Sequence, residues 1–205
     1  MNPSATVGFP GSGTAHHLLV SAAKVFVRNG YANTTVADIA AEAGATRPTF
    51  YAYFESKEDV FRQLSERVRE EFLSLQSIDP ARPIEEIIRQ TDREYLRIYA
   101  ANEPLLTVIK HQSLGDPSMG TLWREIHRLP NHRHSRFVEV QIALGRVNPI
   151  ISPDSVAEAV TGVVMRFSEI LQRSPQRFEE LLEELVRTHL ALLGIAAPEP
   201  SGEGH

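Results

Sequence analysis

Thr46, Arg47, Pro48, Thr49, Tyr51, Tyr53 and Lys57 gather hydroxyls, phenols, a guanidinium and an ammonium on a short stretch that also carries Phe50 and Phe54. At helical spacing the two phenylalanines fall one turn apart and point into a core, which turns the polar groups outward. That inventory suits the groove of a nucleic acid. Arg47 can donate two parallel hydrogen bonds to guanine O6 and N7, and Thr49 offers a hydroxyl and a methyl to a thymine. Tyr51 and Tyr53 can donate to phosphate. Lys57 stands in the first turn of the next helix, where an anion also meets free backbone N–H groups. Thr35, opening an earlier helix, can clamp a second phosphate in the same way.

These groups need rigid elements to hold them, and the periodicity supplies helices. Leu18, Ala22, Val25 and Phe26 share one face of a helix expected from Thr14 to Asn29, which Gly30 ends. Thr35-Val36-Ala37-Asp38 has the form of a capping box, and Val36, Ile39, Ala40 and Ala43 form the buried stripe behind it. Gly44 stops that second helix. Thr46 caps a third, with Pro48 in its first turn, where a missing N–H costs little. Small residues at Ala40, Ala43 and Ala45 let the two short helices cross closely. Ser56 caps a longer fourth helix, with Asp59 at its third position. A long helix followed by two short ones around a tight glycine turn is the geometry of a helix-turn-helix reader.

The remaining chain is also helical in period, and no strand-like alternation or long repeat interrupts it. Helices are expected over about 84–101, 104–114, 118–128, 132–146, 154–172 and 175–193, with Pro104 and Pro130 read as boundaries. The fold class is therefore all-α: a three-helix head with a helix-turn-helix, then a larger helical bundle, about nine helices in total. The domains expected are a disordered arm over 1–13, a DNA-binding head over 14–62, a ligand-binding and dimerising bundle over 63–194, and a disordered tail over 195–205.

Composition narrows the function further. The 205 residues carry 21 Lys+Arg against 26 Asp+Glu, a net charge of -5, which excludes a chain coated in cations. It leaves room for a local DNA-binding face, because phosphate contacts need only a few placed cations. In residues 1–63 Lys24, Arg28, Arg47, Lys57 and Arg62 balance Asp38, Glu42, Glu55, Glu58 and Asp59, so the head itself is neutral. The absence of cysteine removes disulfides, thiolate metal sites and thiol nucleophiles together. The opening MNPSATVGFPGSGTAHH has neither a basic leader nor an apolar core segment, and no run reaches the ~18 apolar residues of a membrane span. A cytoplasmic location, without membrane attachment, is expected.

From Leu18 to Leu64 the sequence resembles the TetR (tetracycline-repressor-like) family of bacterial transcriptional regulators. The text that carries the resemblance is AAKVFVRNGYANTTVADIAAEAGATRPTFYAYFESKEDVFRQL. By that resemblance Arg47, Pro48 and Thr49 fall where members touch base edges, Tyr51, Tyr53 and Lys57 on contact or phosphate positions, and Thr35 on the cap that meets the backbone. Members often carry a basic arm before the first helix, whereas this chain has only His16 and His17 there. The resemblance implies a homodimer on a palindromic operator, and a bundle that binds a small-molecule effector and dimerises.

Within the bundle, Val160, Val163, Val164, Phe167, Phe178, Leu182, Leu185 and Val186 are more apolar than one core face requires, so the last two long helices are the expected dimer pair. Polar and aromatic groups set in apolar runs mark the candidate ligand pocket: Tyr95, Tyr99, Asn102, Leu106, Ile109, His111, Trp123, His127, Met165 and Phe167. His111, His127, His132 and His134 raise the thought of a metal, but positions 132 and 134 diverge by about 200° on a helix. No metal and no cofactor are expected. Nor is an enzyme: there is no nucleophile elbow, glycine-rich phosphate loop or H-E-x-x-H, and carboxylate pairs such as Glu179/Glu180 and Glu183/Glu184 read as solvated faces. The function expected is a DNA-binding repressor released from its operator by a small ligand. The alternative is a ligand-independent architectural or partner-recruiting DNA-binding protein.

Overall fold

The computed structural model describes residues 12–74 and 82–195. The arm expected over 1–13 and the tail over 195–205 lie outside that range except at residues 12, 13 and 195, and so does Pro80. Among the described residues every regular element is helical: α1 (Thr14–Asn29), α2 (Val36–Glu42), α3 (Arg47–Tyr51), α4 (Lys57–Leu73), α5 (Ile84–Ser113), α6 (Pro117–Ala143), α7 (Pro153–Arg173), a 3₁₀ turn at Pro175–Arg177, and α8 (Phe178–Leu192). No helix there is long and apolar enough to cross a membrane.

α2, α3 and α4 begin where their caps predict, and α1 begins at the expected Thr14. The last begins later than the expected position 175, because Pro175 opens the 3₁₀ turn and the α-helix follows it. The nine or ten helices expected become eight α-helices among the described residues, because the segments split at Pro104 and at Pro130 join into single helices, α5 and α6, that carry these prolines inside them. Such a proline removes one helical hydrogen bond and crowds the preceding turn, at roughly 3 kcal/mol. Burial on both sides of it outweighs that cost. On α5 Tyr95, Tyr99, Asn102, Leu106 and Ile109 continue one buried stripe straight across Pro104. Asn102, just before Pro104, donates to Glu71 Oε2 on α4 at 2.9 Å. On α6 Ile126 precedes Pro130, and Asn131, Ser135, Val138 and Gln141 follow it, all buried.

The chain divides into two compact units, Met1–Ser74 with Ala101–His127, and Leu75–Ala100 with Arg128–His205. The division runs through α5 and α6. In the first unit Leu18, Ala22, Val25 and Phe26 of α1 are fully buried, and Phe61, Leu64, Val68 and Phe72 of α4 continue that core. In the second, α7 contributes Val156, Val160 and Val164, and α8 contributes Leu181, Leu182, Leu185, Val186 and Leu190. Two arginine forks strap α8 to α5 at the surface: Arg89 grips Glu183, and Arg93 grips Glu179 at 2.6 and 2.8 Å. Exposed to solvent and screened by salt, each such pair adds little to stability. The connection after α6 is fixed to the end of α8. Asn148 N–H donates to Leu193 O at 2.9 Å, and Gly194, at φ +75, lies so close to Asn148 that a Cβ there would strike its carbonyl.

Candidate nucleic-acid interface

The reading head is built on aromatic packing. Phe26 meets Phe61 edge to face at 5.3 Å, and Tyr31 packs on Phe61 at 4.6 Å. Phe50, fully buried, anchors α3 through contacts with Phe54 and Tyr51 at 5.5 Å each. Between α2 and α3 the chain must turn within four residues, 43–46. Gly44 does so at φ +61, and Ala45 N–H closes the turn on Ala40 O at 2.8 Å.

Both short helices are capped by side chains. Thr35 Oγ1 accepts from Asp38 N–H at 3.2 Å, and the Asp38 carboxylate accepts from Thr35 N–H and Oγ1–H at 2.9 and 2.7 Å. Those bonds from Thr35 hold the Asp38 carboxyl below the usual carboxylate range. Thr46 Oγ1 accepts from Thr49 N–H at 3.3 Å, and the two hydroxyls pair at 2.8 Å. The Thr35 and Thr46 hydroxyls therefore serve first as caps, so a phosphate would meet the helix N-termini beside them.

What α3 leaves outside is the strip that its spacing implies. Thr46, Arg47 and Pro48 are exposed and Thr49 half-buried, while Tyr51 and Tyr53 stand 51% and 50% exposed despite their large apolar rings. No carboxylate among the described residues holds Arg47, whereas Arg28 is paired with Glu42 at 2.9 Å and Arg62 with Asp59 and Glu66. An exposed guanidinium flanked by exposed phenols on a short, rigid helix is suited to contact base edges and phosphates.

Lys57 is more constrained than its spacing suggests. Half-buried, it donates to Tyr31 O at 3.0 Å and stands 4.4 Å above that ring. Tyr31 in turn donates from its phenol to Glu58 Oε1 at 3.0 Å. Burial, and then that carboxylate, push the phenol's pKa up. Sequence reasoning missed this clasp between the α1–α2 connection and the first turn of α4. Tyr31 and Glu58 lie 27 positions apart, and no local rule joins them. At the other edge of the strip, Gly13, Thr14, His16 and His17 face Ala43–Thr46 and Thr49 across an open groove of about 660 Å³.

With Arg28 and Arg62 paired and Lys57 partly committed, Lys24 and Arg47 are the uncommitted cations of the head. Binding should therefore depend weakly on salt for this class. A plot of log affinity against log salt is expected to give fewer than about ten released ions per bound duplex. A steeper slope would show phosphate contacts from elsewhere.

The candidate pocket residues are divided between the units. Tyr95, Tyr99, Met165 and Phe167 belong to one; Asn102, Leu106, Ile109, His111, Trp123 and His127 belong to the other. Tyr95 and Tyr99 are buried edge to face at 5.1 Å, and Tyr95 OH shares a hydrogen bond with Thr161 Oγ1 at 3.2 Å. Leu106 and Ile109 are buried, His111 is exposed, and half-buried Trp123 stacks near His127 at 4.3 Å. Of the residues assigned to dimer contact, Val160, Val164, Leu182, Leu185 and Val186 are buried within the chain itself, while Val163, Phe167 and Phe178 are half-buried. No cluster of three or more metal-ligating side chains occurs among the described residues.

A compact three-helix head, with α3 presented on its surface behind a tight glycine turn, has the architecture of a helix-turn-helix motif. The family model described as bacterial regulatory proteins, tetR family, matches residues 18–64. Over those residues the chain is similar to that family of regulatory proteins. It is 33% identical over 94 residues to the HTH-type transcriptional repressor BepR of Brucella suis, covering 44% of each chain. It is 30% identical over 98 residues to the HTH-type transcriptional activator FasR of Mycolicibacterium smegmatis, covering 48% of this chain and 41% of that one. The matches thus span less than half the length of these curated relatives. Over the whole fold the chain resembles a tetR-family regulatory protein from Rhodococcus RHA1, with a TM-score of 0.75 at 19% identity, covering 91% of this chain and all of the other.

Proposed function

We propose that the chain is a homodimeric transcriptional regulator that reads a palindromic operator with α3 of each copy and acts as a repressor. A small molecule held by the C-terminal helices would release it. The observation that carries this reading is the outward face of α3, where exposed Arg47 stands uncommitted between Thr46 and the half-exposed Tyr51 and Tyr53. Two such helices would enter successive major grooves on one side of a duplex, about 34–36 Å apart. Pairing falls to α7 and α8, where half-buried Val163, Phe167 and Phe178 offer apolar surface beyond the chain's own core.

The match to a named repressor supports the sign of the effect, and the match to a named activator makes it a point to test. In this reading α4 is the lever, because its first turn is clasped to Tyr31 beside the reading helices. An effector that binds better when the two heads stand further apart weakens DNA binding by that difference in affinity. A decisive shift takes about 5.5 kcal/mol of such preference.

Selection from a random duplex library at low salt tests the reading. It is expected to return an inverted repeat, bound by two copies and released by at least one member of a metabolite panel. Enrichment of a single unrepeated site would refute two-fold reading. A bound duplex indifferent to the whole panel, with no thermal shift of the protein, would favour a ligand-independent role.

A further inference from the structure

In the unit that holds Leu75–Ala100 and Arg128–His205, three titratable side chains form a hydrogen-bonded chain across three helices. Asp92 of α5 and His189 of α8 are each 1% exposed. Both carboxylate oxygens of Asp92 face His189 Nδ1, at 3.0 and 3.2 Å. His189 Nε2 lies 2.9 Å from Nε2 of His134 on α6, and the two rings stand 62° apart with centroids at 4.7 Å. His134 is only half-buried, so its helix gives it a way out to solvent. DNA reading uses none of these groups.

The geometry counts hydrogens. Nδ1–H of His189 donates to Asp92, and the gap between the two Nε2 atoms holds a single hydrogen, since one ring must donate and the other accept. With an imidazolium at His189 and a neutral ring at His134, the buried charge sums to zero. Neighbouring charges are committed elsewhere. On α7, Asp154 accepts from Ser135 at 2.6 Å and Glu158 from Asn131 at 2.8 Å. On α5 and α8, Arg89 and Arg93 are bound at the surface to Glu183 and Glu179, and Arg133 beside His134 on α6 is exposed.

We propose that Asp92, His189 and His134 form a one-proton latch tying α8 to α5 and α6, and that the closed latch shuts a second proton out of His134, so that holding it closed costs the fold stability in mild acid. With both Nε2 atoms protonated, two donors face each other and neither can accept. His134 can take that proton only by leaving the core, so that α8 keeps Asp92 but loses α6. Burial, then the charge of His189, push the His134 pKa down from 6.5 to about 3. The sign follows from proton counting. Between those values the unfolded chain binds a proton that the folded chain refuses, so stability from this site is whole above pH 6.5 and falls as the pH drops below it. Acid sensitivity of dimerisation through α8 would rest additionally on the reading of α7 and α8 as the pairing helices.

The test needs neither DNA nor dimer. Thermal unfolding of the intact chain is followed from pH 8 to pH 5 for the wild type and for His134→Gln, whose amide can accept from His189 Nε2–H but cannot take a proton. Near pH 5 the wild type is expected to take up about one more proton on unfolding than the variant, and so to lose more of its melting temperature. Equal pH slopes would overturn the latch. Nitrogen-detected NMR of the wild type decides the same point without substitution, should the variant fail to fold. His134 is expected to stay neutral from pH 8 to pH 5. Protonation of His134 within that range would overturn it.

Discussion

Phe50→Ala is expected to destabilise the chain by about 3–5 kcal/mol, the usual range for removing a fully buried phenylalanine ring. Phe50 is the inward anchor of a five-residue helix, and a helix that short has little stability of its own. Losing the ring removes its contacts with Phe54 and Tyr51 and leaves a cavity in the core behind α3. The change should appear as a fall in the denaturant midpoint, together with lost DNA affinity. Phe50→Leu, which keeps most of the apolar volume, should recover a large part of both. A small effect from the alanine variant would mean that α3 is held by something other than its aromatic pin.

Arg47→Ala should do the opposite: leave stability almost unchanged and strike recognition. The side chain is exposed and engages no carboxylate among the described residues, so folding loses little. Loss of a two-point contact to guanine costs about 1–3 kcal/mol and relaxes preference at one position in each half-site. Arg47→Lys should fall short of the wild type, because an ammonium cannot reproduce the planar fork. Competition between the selected duplex and singly substituted duplexes measures this position by position. An unchanged preference profile in Arg47→Ala would remove this residue from base reading.

The head was legible because its signals are local. The expected first helix, Thr14 to Asn29, coincides with α1, and the caps at Thr35, Thr46 and Ser56 accept the hydrogen bonds that their spacing implies. A cap, a glycine turn and an i, i+4 aromatic pair each need only a few neighbouring residues to be recognised. Pro104 and Pro130 misled for the complementary reason. The local rule ends a helix there, but burial on either side, set by distant parts of the chain, carries α5 and α6 through. Long-range polar pairings were equally out of reach. Glu179 and Glu183 read as a solvated face, and they are exposed, yet each grips an arginine on α5. His134, weighed as a metal ligand and set aside, meets a histidine 55 positions away. His189 and Asp92 gave no sign of themselves in sequence, since nothing in a helical period says which polar residue will be buried against another helix. The α3 strip could be read residue by residue, whereas the bundle's polar interior needed the fold.

Guanine N7 methylation interference on the selected duplex tests most directly whether α3 lies in the major groove twice over. Methylation of one guanine in each half-site is expected to block the wild type while leaving Arg47→Ala indifferent at those same positions. Interference confined to minor-groove adenines, or to one half of the site, would contradict that placement.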